Sequence, residues 1–124
     1  MRAGAQAGQA EARFDLGRMY RHGIGVRRDS AQAYRWIALA AEAAYPPAMF
    51  TLYNMLTAGE GTVRDEAQAR RWLERAADKE DPQALQQLAQ HLQLGASGYQ
   101  RDPARADHLL AVLAHAMKHQ HHAD

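Results

Sequence analysis

The residues best suited to chemistry in this 124-residue chain are its histidines. His108, His115, His119 and His122 are spaced so that a helix continuing that far carries all four within one narrow arc. His115 and His119, one turn apart, have the spacing with which two imidazoles reach a single divalent ion such as zinc, nickel or copper. No carboxylate is spaced to orient those rings, as a metal site usually requires. Leu109, Leu110, Leu113 and Met117 take the opposite face, which leaves the histidine stripe to water. Imidazoles near a helix C-terminus are also favoured simply by the helix dipole. The expectation is a solvated histidine-rich tail over 117–124, with His115 and His119 as the candidate ligands and no cofactor. The acids Asp29, Asp65 and Asp102 recur where helices should open, and there they serve as caps rather than as a catalytic pair. Gly-x-Ser-x-Gly, Walker, dinucleotide-binding and His-Glu-x-x-His motifs are missing. With no cysteine there is no thiolate nucleophile, disulfide or cysteine zinc site. The chain does not read as an enzyme.

Composition bounds the partners. The formal net charge is +1, and charged residues make up 23% of the chain. That is not the basic excess of a nucleic-acid binder, which must neutralise several phosphates. The pairs Arg27-Arg28 and Arg70-Arg71 are isolated and read as solvated helix ends and faces. No apolar run approaches the roughly 20 residues that span a bilayer. The first residues lack the apolar stretch of a secretory signal. As written the chain reads as cytoplasmic, or as periplasmic if it is a fragment whose signal lies upstream. The chain holds 27 alanines and 11 glutamines, which favours helix throughout.

What positions these residues is a repeat. Ala12, Leu16, Tyr20, Gly23, Gly25, Asp29, Ala33, Trp36, Ala40 and Ala41 form one register. A step of 36 residues gives Ala48, Leu52, Leu56, Gly59, Gly61, Asp65, Ala69, Trp72, Ala76 and Ala77. A second step gives Ala84, Leu88, Leu92 and Gly95, and after one extra residue Asp102, Ala106, Leu109, Leu113 and Ala114. Within each repeat, apolar residues at i, i+4, i+7 and i+8 mark one helix, with Ala12, Leu16, Met19 and Tyr20 as its core face in the first. A glycine then ends it in the left-handed region, and an aspartate opens a second helix. The pattern predicts helices over roughly 9–22, 30–44, 47–58, 66–79, 82–94 and 103–119. Antiparallel helix pairs stacked in this way make an all-α fold, an α-solenoid of three repeats.

The stretch from Ala12 to Ala41, with Leu16-Gly17-x2-Tyr20, Gly23-Ile24-Gly25, Trp36 and Ala40-Ala41, resembles the Sel1-like repeat, a relative of the tetratricopeptide repeat. The 36-residue period, the Gly-x-Gly loop and the Trp followed by Ala-Ala favour it over the 34-residue form. The expected division is repeats at 10–45, 46–81 and 82–116, with 1–9 a tail or the remnant of an upstream repeat. Tyr53 departs from the pattern, standing where Gly17 and Ala89 stand, so it must swing outward or widen the local packing. The resemblance implies a bacterial adaptor or scaffold that binds a partner polypeptide on the concave face. Alternatively, it implies an inhibitor or immunity protein that covers the active site of a toxin or effector.

In such solenoids the first helices line the concave surface. The ridge opposite their apolar face is Phe14, Arg18 and Arg21, then Phe50, Asn54 and Thr57, then Gln86, Gln90 and Gln93. Aromatics there would supply buried area, and amides and guanidinium groups would hydrogen-bond a partner's backbone or carboxylates. The competing reading makes Phe14 and Phe50 packing residues. Trp36, Trp72, Tyr20, Leu56 and Leu92 read as core. An open solenoid edge also offers a place for self-association.

Overall fold

The computed structural model describes the backbone of residues 2–122 and the side chains of 8–118. All of the described regular structure is helical: α1 (Arg2–His22), α2 (Ser30–Glu42), α3 (Pro46–Ala58), α4 (Glu66–Asp78), α5 (Pro82–Leu94) and α6 (Pro103–His122). The expected boundaries match closely, except that α1 begins at Arg2 rather than near residue 9. Ala3, Ala5, Gln6 and Ala7 are strong helix formers, and Gly4 and Gly8 each cost only about 1 kcal/mol inside a helix.

The helix ends follow from the aspartates and glycines. The Gln32 amide donates to Asp29 Oδ1 at 3.1 Å, the Gln68 amide to Asp65 Oδ1 at 3.0 Å, and the Arg105 amide to Asp102 Oδ1 at 3.1 Å. Asp81 caps α5 in the same way, accepting from Ala84 at 3.0 Å, and Pro82 follows in the first turn, where no amide is needed. Gly23, Gly59 and Gly95 all take the left-handed conformation, with φ of 68°, 69° and 65°. Each loop then closes on its own first helix through the amide of its aspartate. Asp29 donates to the Tyr20 carbonyl at 2.9 Å, Asp65 to that of Leu56 at 3.0 Å, and Asp102 to that of Leu92 at 2.8 Å. The extra residue of the third loop is absorbed in a turn, closed by Tyr99 N–H donating to Ala96 C=O at 3.0 Å.

Two compact units divide the chain, Met1–Trp72 and Leu73–Asp124. In the first, Ala10, Phe14 and Gly17 are buried among the described side chains of α1, and Ala33, Ile37, Ala40 and Ala41 are buried on α2. A Cβ at Gly17 would lie 2.5 Å from Ile37 Cγ1, so the absent side chain sets the spacing of the two helices. Helix α3 lies on α2 and buries one broad face, formed by Ala48, Met49, Leu52, Tyr53, Met55 and Leu56. Tyr53 therefore does not swing outward; it is buried with its ring 5.8 Å from Phe50, and burial pushes its hydroxyl pKa up. The expected α1 core face is corrected too. Ala12 is exposed, and Leu16, Met19 and Tyr20 are half-buried.

In the second unit Leu73, Ala76 and Ala77, then Ala84, Leu85, Leu88, Ala89 and Leu92, then Ala106 and Leu109 are buried. His91 joins them, 36 residues after Met55, with its ring stacked on Tyr99 at 5.8 Å and 13°. Burial lowers its pKa below the usual value, so the folded state prefers the neutral ring. The unfolded chain then binds the proton more tightly, and this contribution to stability is present above about pH 6.5 and lost as pH falls below it. We expect a lower Tm at pH 5 than at pH 7.5, and a smaller difference in His91→Met, measured by circular dichroism at both pH values. An undiminished difference in that variant would assign the pH dependence elsewhere.

Candidate partner-binding surface

Each ridge residue expected from the sequence meets a particular environment. In the first unit Phe14 is buried at 9% exposure, its ring 5.4 Å from that of Tyr45, with the Arg18 guanidinium 5.7 Å from its own centroid. Phe14 is therefore a packing residue. The cause is Tyr45, contributed by the turn between α2 and α3. Arg18 itself is exposed.

Arg21 is engaged as well. Its Nε and Nη2 donate to the two carboxylate oxygens of Glu60 at 2.8 and 3.1 Å, a bidentate pair joining the end of α1 to the loop after α3. That bond, and the charges of Arg28 and His22 nearby, hold the Glu60 carboxyl below the usual range. These four residues border a cavity of about 290 Å³, so Arg28 has a setting that its isolated arginine pair did not suggest. On α3, Phe50 and Asn54 are half-buried, and Thr57 Oγ1 donates to the Asn54 backbone carbonyl at 2.9 Å.

In the second unit Gln86, Gln90 and Gln93 are all exposed along one ridge of α5. Arg101 Nε donates to the Gln93 carbonyl at 3.1 Å, which engages the backbone and leaves the side-chain amide outside. Three neutral amides at i, i+4 and i+7 each offer donors and an acceptor.

A further surface had no place in the sequence reading. Trp36 is half-buried rather than core, because Ala33, Ile37 and Ala40 take the inner face of α2 and the indole falls on its flank. Trp72 is half-buried likewise. With Leu39, which is 44% exposed, Trp36 borders a cavity of about 460 Å³ along α2, edged by Gln32, Arg35 and Glu42. One signal was legible. Leu39 is apolar where the second repeat has the charged Arg75, while the third repeat has Val112.

Of the histidines, His108 and His115 are exposed on α6, while the side chains of His119 and His122 lie outside the described residues. Among the described residues, no group of three or more His, Cys, Asp or Glu is arranged to hold a metal ion. No helix among them is long and apolar enough to cross a membrane.

Comparison with known proteins bears on the fold. The Sel1 repeat family model matches residues 10–45, 54–81 and 82–111. Among solved structures, the chain is similar to a Sel1 repeat protein from Oxalobacter formigenes, with 29% identity and a TM-score of 0.80 over 86% of this chain and 43% of that one. It is also similar to a protective antigen present in uropathogenic Escherichia coli strains, described as displaying an SLR fold. There the identity is 29% and the TM-score 0.77, over 90% of this chain and 24% of the antigen. The chain thus spans less than half the length of either structure. No curated protein matches it.

Proposed function

Because the chain belongs to the Sel1 repeat family, whose repeats generally mediate protein–protein interaction, we propose that it is an adaptor that holds a partner polypeptide on its first-helix ridges. The observation that carries this reading is the exposed amide row Gln86, Gln90 and Gln93 on α5. Neutral amides suit the backbone of an extended partner, whose own donors and acceptors need pairing once water is displaced. On α3, the half-buried Phe50 and Asn54 add an aromatic edge and a further amide. The proposal describes binding rather than catalysis.

Capture of partners from the native host by the immobilised chain tests this. Replacing Gln86, Gln90 and Gln93 together by Ala should weaken capture about tenfold, the scale of one or two lost hydrogen bonds, with helicity unchanged. Asp107→Ala on α6 should leave capture as it was. Equal capture by the triple variant and the parent would remove the ridge from the reading. The captured partner also separates adaptor from inhibitor: an enzyme or toxin silenced on binding marks the latter.

A further inference from the structure

The end of α1 gathers charge for which the repeat does not account. Arg21, His22 and Arg28 border the cavity of about 290 Å³ together with Glu60, from the loop after α3. Their counterparts 36 residues on are Thr57, Ala58, Arg64 and Ala96, of which only Arg64 is charged. Glu60 commits both carboxylate oxygens to Nε and Nη2 of Arg21, which leaves the Nη1 N–H groups for another acceptor. Arg28 lacks the acid that its repeat position has elsewhere. Arg64 pairs with Glu66, two residues on, whereas Ser30 stands two residues after Arg28. The side chain of Arg28 is exposed, with its stem against Gly23, where an added Cβ would lie 3.4 Å from Arg28 Cβ. The helix end does not compete for this space. The Met19 and Tyr20 carbonyls already accept from Ile24 and Asp29, both at 2.9 Å, so the negative end of α1 is closed by its own loop.

The geometry points to a binding site for a phosphate monoester at this cavity, held by Arg28, the free edge of Arg21 and His22. Glu60 shows the chemistry the cradle accepts, since it is a carboxylate seated on Arg21 in bidentate geometry. Arg28 and His22 lie close enough that their charges help to hold its carboxyl below the usual range. The charge left over selects the ligand. With Glu60 ionised, the two arginines leave one positive charge, and a protonated His22 makes two. A phosphate monoester carries about −1.5 to −2 and matches that surplus, where a second carboxylate falls short. Its three terminal oxygens also give each of the three side chains an acceptor. At about 30 Å³ for one water, the cavity has room for the group and for waters that bridge it to the donors.

Titration of the nitrogen-15-labelled chain with inorganic phosphate, and with a phosphoserine peptide of neutral flanks, tests this in dilute chloride buffer. The Nε–H resonances of Arg21 and Arg28 should shift saturably, with a Kd of about 1 mM for a site this open. Equal affinity for the two probes assigns a free anion, and a gain of about tenfold for the peptide assigns a phosphate carried on a polypeptide; either supports the site. Arg28→Gln should weaken binding about tenfold, and Glu60→Gln should tighten it about threefold by removing the competing charge. Arg64→Gln, at the matching place in the next loop, should leave it as it was. The absence of a saturable shift at about 20 mM phosphate overturns the proposal, and so do equal shifts with chloride at the same ionic strength. Unchanged affinity in Arg28→Gln, or no gain in Glu60→Gln, overturns it as well. None of these readouts involves the glutamines of α5, so this inference and the adaptor reading stand or fall separately.

Discussion

Gly61→Ala should lower unfolding stability by about 3 kcal/mol, whereas Gly25→Ala, at the same place in the preceding repeat, should lower it by about 1 kcal/mol. Both glycines have φ of 74°, in the left-handed region, so any L side chain pays the same backbone strain at either site. Their surroundings differ. A Cβ at Gly61 would lie 2.1 Å from the Ser30 carbonyl oxygen and 3.2 Å from Tyr34 Cβ, because that loop rests on the start of α2. A Cβ at Gly25 would meet nothing nearer than the Met19 methyl, at 3.8 Å. Backbone cannot move aside as the end of a methionine can, so the added methyl at Gly61 displaces the whole loop. Urea titrations of the two variants measure both costs, and their difference isolates the steric term. Equal losses would show that strain at positive φ accounts for everything and that the loop yields freely.

Ala40→Leu is expected to cost up to about 3 kcal/mol, enough to lower Tm by roughly 10 °C in a domain of this size. Ala40 is fully buried on α2, in the unit where Gly17 already brings α1 against Ile37. Three more carbon atoms have no void to enter, so the helices must part or a neighbour must leave its rotamer. Ala76 on α4 stands at the same repeat position, is equally buried, and should respond alike. Ala114 on α6 belongs to the column of Ala41 and Ala77 but is exposed, and Ala114→Leu should change stability by no more than about 0.5 kcal/mol. Thermal denaturation of the three variants decides the matter. A mild loss at Ala40 would mean that the seam between helices is looser than its burial implies.

Those contrasts show what periodicity could and could not reveal. The 36-residue step located the helices, their caps and their left-handed glycines, because each depends on residues within a few positions of itself. Neighbours from elsewhere in the chain were less legible. Phe14 and Phe50 share a column and looked equivalent, yet Phe14 is buried against Tyr45, and the residue 36 positions after Tyr45 is Asp81. Arg21 looked free to meet a partner, but Glu60 stands where the first repeat has Ile24, and the pair forms between repeats. Trp36 and Trp72 looked like core because they recur, whereas recurrence fixes only their angle about the helix. That angle is a flank. The Ala12, Leu16, Met19 and Tyr20 face was correctly apolar, but its cover depends on what lies beside α1.

The way each loop closes has an evolutionary consequence. Every aspartate that begins a second helix bonds back to the first helix of its own repeat, at Tyr20, Leu56 or Leu92, and the third loop does so despite its additional residue. That backbone closure lies within one repeat, although the second loop also rests on Ser30 and pairs Glu60 with Arg21 of the repeat before it. Duplication of one such segment in a gene therefore copies a loop together with its own fastening. Array length can then change by whole repeats with each turn's own backbone closure kept, and only contacts between repeats, such as Arg21 with Glu60, have to be rebuilt.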